Sequence, residues 1–210
     1  WDKEVKAKIT PAQWNAVELA QFREARSLFK QQRFKEASEA YEQVLALFPE
    51  RENSVAAMGE LAACYIELEE HLSCDVLLRH VAERFCRNKE LMVAAGDQLV
   101  RVAFKFSERN DEARMREAYD VFFTYMTQHP RAASELFRFA QEEFRGNNLD
   151  KAMSYYEQIV ANHEGKPVYF DALSQIAFVH SKQERPGDEV KTLKLLIEKL
   201  KAQENPGHAV

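Results

Sequence analysis

The chain repeats itself, and that limits what it can fold into more than any other feature. The stretch Ala37-Ser-Glu-Ala-Tyr41-Glu-Gln-Val44 returns as Ala152-Met-Ser-Tyr-Tyr156-Glu-Gln-Ile159, with small and large residues at the same spacing. Each copy lies in the second half of a unit whose first half is another helix of apolar period. Such a pair can bury its apolar face only by stacking on the next pair, so a row of them is a solenoid rather than a globule with one core. A solenoid presents extended surface in preference to an enclosed pocket, which argues against a pocket enzyme.

Composition agrees. Hydrophobic residues make up 46% and charged residues 30% of 210 positions, which is the range of folded proteins. Six glycines and six prolines are too few for the many tight turns of an all-β fold. The net charge of −5 is mild, both signs are interspersed and no Lys/Arg run dominates, so the footprint of a nucleic-acid binder is missing. No stretch approaches the roughly 18 consecutive apolar residues of a membrane span. From Trp1 onward the chain is polar and lysine-bearing, with no visible signal peptide, as expected of a processed or excised chain.

The second unit shows the register most fully. It reads Met58-x2-Leu61-Ala62-x2-Tyr65, then Cys74-x3-Leu78-x2-Val81. A large residue, a Leu-small pair and an aromatic on the first helix, then small and large residues on the second, resemble the tetratricopeptide repeat. The resemblance implies an all-α fold, a right-handed superhelical solenoid of about five helix-turn-helix repeats. It covers nearly the whole chain as a single array: 18–54, 55–91, 92–132, 133–169 and 170–204, with tails at 1–10 and 205–210. The first unit carries Ala25, Leu28, Ala37, Tyr41 and Val44. The third carries Ala118, Phe122 and Tyr125 after a first helix extended before Asn110. The fourth carries Leu136, Phe139, Ala140, Ala152, Tyr156 and Ile159; the fifth keeps Leu173, Ile176 and Ala177, but Val190 is displaced by one. Gln21 and Glu143 stand where bulky residues are expected. Small residues at the eighth and twentieth positions let the two helices approach closely, so Ala37, Cys74, Ala118 and Ala152 are expected to be buried there.

Punctuation supports the helices. Thr10-Pro11-x-Gln13 reads as a capping box with proline at the first helical position. Ser54, Asn88, Asp111 and Asp188 are candidate caps, and Gly146-Asn147-Asn148 and Pro186-Gly187 read as turns inside their units. Three cysteines without a CxxC pair argue against a disulfide framework. Six histidines show no ligand spacing, and no nucleophile elbow or phosphate loop is present, so neither metal, cofactor nor catalysis is expected.

The family resemblance also implies where partners would lie. In tetratricopeptide repeats the concave wall is lined by first helices, whose second, fifth, ninth, twelfth and thirteenth residues meet a peptide. Carried over, these positions give Phe22, Arg26, Phe29 and Lys30 in the first unit, Ala63, Ile66 and Glu67 in the second, and Phe137, Gln141, Phe144 and Arg145 in the fourth. The expected function is a non-enzymatic adaptor holding a protein or peptide segment. Alternatives are a regulatory or targeting domain cut from a larger enzyme or assembly machine, or a self-assembling array. The phrase from Tyr41 to Pro49 looks like bacterial envelope proteins of this family, of the Tol-Pal coordinator and outer-membrane assembly lipoprotein type. That likeness implies a periplasmic or envelope scaffold, with the cytoplasm as the alternative.

Overall fold

The computed structural model describes residues 10–204, and among them finds ten α-helices and no strand. They form five pairs: α1 (Pro11–Lys30) with α2 (Phe34–Leu47), α3 (Glu52–Glu67) with α4 (His71–Phe85), α5 (Met92–Glu108) with α6 (Glu112–Tyr125), α7 (Ala132–Arg145) with α8 (Leu149–Asn162), and α9 (Pro167–Lys182) with α10 (Pro186–Glu204). Two compact units contain them, α1–α6 up to Met126 and α7–α10 from Thr127. Within the first, α3 packs on α1, α2, α4 and α5; within the second, α9 packs on α7, α8 and α10. The expected tails lie outside the described residues, apart from Thr10.

One turn is used five times. Gln32, Glu69, Asn110, Asn147 and Glu184 all have φ between 56° and 61°. Each follows the C-cap of a first helix, and the next N–H reaches back to the carbonyl five residues earlier at 2.8 to 3.1 Å. This left-handed turn satisfies a helix-end carbonyl and reverses the chain at once. Asn is the non-glycine residue most tolerant of that conformation, yet three of the five positions hold Gln or Glu. Successive turns are 37, 41, 37 and 37 residues apart. The extra four lie between Phe85 and Asn110, mostly in the connection before α5, whose 17 residues compare with 16 in α3 and α9.

Counting from these turns exposes the contact that holds each pair. Seven residues before each stands an alanine: Ala25, Ala62, Ala103, Ala140 and Ala177, none more than 3% exposed. Five residues after stand Ala37, Cys74, Met115, Ala152 and Glu189. In the second pair Cys74 Sγ comes to 4.0 Å from the Ala62 carbonyl oxygen, which shows how closely the backbones approach. Ala37, Cys74 and Ala152 are wholly buried, as the register requires.

Ala118 needs correcting. It is buried, but the turn at Asn110 gives its expected place to Met115. Ala118 instead lines a cavity of about 230 Å³ with Leu78 of α4 and Val121 of α6, between two second helices.

Thr10 and Gln13 form the expected capping box, and Asp111 Oδ1 accepts from Arg114 N at 3.1 Å. Asn88 Oδ1 accepts from the N–H groups of Glu90 and Leu91, both at 3.0 Å, in the turn before α5. Ser54 and Asp188 are not caps, because α3 and α10 begin earlier, at Glu52 and Pro186. The Ser54 hydroxyl donates to the Phe48 carbonyl, and Asp188 pairs with Arg185 at 2.8 Å. Pro186-Gly187 likewise opens α10, the turn itself being at Glu184.

Ala37→Leu and Ala152→Leu each force a large side chain between backbones in contact and should cost about 1–3 kcal/mol. Ala118→Leu, beside a cavity, should cost less than either. Urea unfolding of the three variants checks this, and equal losses at all three would contradict the assignment of Ala118.

Candidate protein-binding groove

The expected groove residues separate by unit. In α1, Phe22 is core, 7% exposed with its ring 6.1 Å from that of Tyr41, so it does not line a groove. Phe29 is half-buried and meets Phe34 edge to face at 5.5 Å, plugging the turn between α1 and α2. In α3, Ala63 and Ile66 are also core. They share a helical stripe with Gly59, against which Gln98 of α5 lies, because adjacent first helices pack on each other along that side. Arg26, Lys30 and Glu67 remain exposed.

Apart from Lys30, the charged residues expected on this face of the first unit are internally paired. Arg26 meets Glu60 at 3.3 Å, and Glu60 also accepts the Tyr41 hydroxyl. Glu67 pairs with Arg109, which donates in addition to the Ile66 carbonyl at 2.9 Å. A partner would have to break these contacts to use the same groups.

In the second unit three of the four expected residues come together. Between α7 and α9 lies a groove of about 680 Å³ lined by Phe137, Gln141 and Arg145 on one wall and Asp171, Ser174 and Gln175 on the other. Phe137 forms its floor, 5.6 Å from the Tyr156 ring of α8, and Gln141 donates to the Tyr156 hydroxyl at 2.9 Å. Burial pushes that phenol up to about 12, with the Arg145 charge opposing the shift. Phe144 packs beside the groove end, 5.6 Å from half-exposed Phe178 of α9, over which Lys182 sits at 5.7 Å. Arg138 is held by Glu135 at 2.9 Å and Glu142 at 2.8 Å. Arg145 is exposed and has no ion pair among the described residues.

The groove is polar along its length. Short turns make α7 and α9 run the same way, so Asp171 lies near the start of the groove while Arg145 and Lys182 mark its far end. Asp171, Ser174, Gln175 and Phe178 were not among the expected residues. Their signal is present in the sequence, since they occupy one face of the next first helix at spacings of three and four.

Three buried side chains also bear on the chemistry. Cys64 and Cys74 are fully buried, and desolvation pushes both thiols up to about 12, which leaves them inert. Sixteen residues past each left-handed turn stand Phe48, Phe85, Met126, His163 and Leu200. His163 thus fills a position otherwise occupied by large apolar side chains. It is 1% exposed, its Nε2 finds no partner, and its Nδ1 lies 3.3 Å from Lys166 Nζ. Burial, then the Lys166 charge, depresses its pKa. Among the described residues no group of three His, Cys, Asp or Glu side chains could hold a metal, and no helix is long and apolar enough to cross a membrane.

Comparison with known proteins bears on the first pair. Residues 18–51 match the tetratricopeptide repeat. That tetratricopeptide match spans α1 and α2, and the later pairs share its register through the same turn and alanine. No curated protein matches the chain. Similar solved structures include the putative kinesin light chain TPR-like repeats of Podosopora anserina, 17% identical, covering 91% of this chain and 96% of that one, at a TM-score of 0.39. MamA is 16% identical over 92% of this chain and 97% of that one, at 0.39. The TPR2AB domain of yeast Sti1 in complex with pHSP90 is 16% identical over 88% and 78%, at 0.38. The envelope likeness of residues 41–49 has no counterpart in these matches.

Because the fold depresses the His163 pKa, the native state binds fewer protons than the unfolded chain as pH falls through the ordinary histidine value of about 6.5. The second unit should therefore be fully stable above that pH and lose stability below it, down to the folded pKa. His163→Phe, which restores the apolar residue of the earlier pairs, should be more stable at pH 5.5 than the wild type and show a flatter profile. Chemical denaturation at pH 7.5 and 5.5 makes the comparison.

Proposed function

We propose that this chain is a non-enzymatic protein-docking module whose α7–α9 groove holds an extended segment of another protein. One observation carries the reading: Arg145 stands exposed and without an ion pair in a groove floored by Phe137, whereas in the first unit Arg26 and Glu67 are engaged by Glu60 and Arg109. An acidic side chain meeting Arg145 and Lys182, with an apolar one against Phe137 or the Phe144–Phe178 pair, fits this chemistry. The tetratricopeptide match at residues 18–51 supports the class of function, since repeat arrays bind along their stacked helices.

A displayed peptide library selected on the wild-type protein should enrich acidic, aromatic-containing sequences. Arg145→Glu should weaken their binding at least about tenfold through loss of attraction and added repulsion. Its melting temperature should not move, because the side chain is exposed and makes no ion pair. Selected peptides that bind both proteins equally would place the site elsewhere.

A specific feature of α10 favours a second reading, a stacking end. Leu193 and Leu200 are 38% and 41% exposed, while their counterparts in the earlier pairs, such as Tyr41, Tyr156, Phe48 and His163, are at most 7% exposed. In the earlier repeats these positions are buried; on α10 they continue a row with Val190 and Ile197, both about half exposed. If a second copy covers this row, sedimentation should show concentration-dependent dimers that Ile197→Asp abolishes. A monomer at all concentrations would exclude that reading.

A further inference from the structure

The internal repeat provides its own control for apolar residues outside the core. Three and seven residues after each left-handed turn, every second helix presents two exposed positions. In four helices they hold Lys35 and Glu39, Ala113 and Glu117, Asp150 and Ser154, and Gly187 and Lys191. On α4 they hold Leu72 and Val76, 82% and 69% exposed, the two most exposed large hydrophobic side chains among the described residues. The fold never buries these positions, so folding gives no reason for leucine and valine there. Paired apolar side chains left in water on one helix face signal a contact surface.

Their surroundings define a site. Among the described residues α4 packs on α6, whereas α2 and α4 stand apart with α3 beneath them. The resulting groove, about 520 Å³, is floored by Leu61 and Tyr65 of α3 and walled by Leu45 of α2 and by Leu72, Val76 and Leu77 of α4. Its charge is one-sided where the floor ends. The Tyr65 hydroxyl donates to Glu42 at 2.7 Å. Burial and that bond raise the Tyr65 pKa, and the charges of Glu42 and Glu70 add to the rise. Leu72 to His80 extends ~12 Å along α4, matching two to three turns of a further helix laid between α2 and α4.

We propose that the α2–α4 groove docks an amphipathic helix of a partner protein, its apolar stripe over Leu72 and Val76 and a lysine or arginine against Glu42. The occupant follows from shape and charge together: two helical walls that do not touch each other, an apolar floor, and the Glu42 carboxylate, which a basic side chain would neutralise. This surface lies on the second helices of the first unit and is independent of the α7–α9 reading.

Two synthetic helices of about 18 residues test it, one built of Leu and Lys and one of Leu and Glu with the same apolar stripe. In a methyl NMR titration of the whole protein, the Leu/Lys peptide should shift the methyls of Leu45, Leu61, Leu72 and Val76. The Leu/Glu peptide should not. Val76→Asp and Glu42→Lys should each weaken the Leu/Lys peptide by about tenfold or more, while Arg145→Glu should leave it unchanged. Equal binding of both peptides, or shifts that survive Val76→Asp, would overturn the proposal. So would self-association in sedimentation that Leu72→Asp abolishes and Ile197→Asp does not, since the groove's occupant would then be a second copy.

Discussion

Everything in this structure depends on one close approach, between an alanine seven residues before a left-handed turn and a small residue five after it. The turn fixes the angle at which the second helix leaves the first, and the small pair sets the distance. Bulky side chains such as Tyr41, Phe85, Phe106 and Tyr156 then fill the space around that contact, each buried to 1% or less. Where the small partner is lost, the pair changes character. Met115 is half-buried in the third pair, and Glu189 in the fifth accompanies a helix whose apolar residues stay largely exposed.

A repeating fold makes function visible as departure from the repeat. A position that is buried in four pairs and exposed in the fifth, as at Leu200, reports a missing neighbour. One that is exposed in all five yet apolar in one, as at Leu72 and Val76, reports a surface kept for something else. The reverse departure, a polar residue in an apolar place, occurs at His163, where the cost of desolvation becomes a pH dependence. Glu143 is a milder instance: buried at 5%, it is satisfied by Asn148 at 2.8 Å.

Helix pairs, register and small contact residues were legible in the sequence because each follows from spacing within one helix. Ala118 was misassigned for the same reason. Its helix offers a small residue only near the expected place, and the turn at Asn110 puts Met115 at the contact instead. Those turns were hard to foresee, since Gln32, Glu69 and Glu184 are not residues that favour positive φ. Among the expected groove residues, Phe137, Gln141 and Arg145 came to line a groove. Phe22, Ala63 and Ile66 did not, because a carried-over position gives a direction from the helix axis and says nothing about how closely the neighbouring helix packs.

The two units show how that closeness decides what a shared scaffold can offer. In the first, Arg26–Glu60 and Arg109–Glu67 link first helices across the face where a ligand would lie, and the Tyr41 hydroxyl completes one link from below. Such exposed pairs contribute little to stability, about 0–1 kcal/mol each, but they neutralise charge that would otherwise attract a partner. In the second, Gln141 replaces the arginine, Gln175 stands where Glu60 stood, and Tyr156 bonds to the amide instead. The same two positions that form a charge link in one unit carry no charge in the other. Arg145, one turn further on, is left exposed and without an ion pair, while Glu142 of the same wall is engaged by Arg138, so the difference between the units comes from the lost pair rather than from any added group.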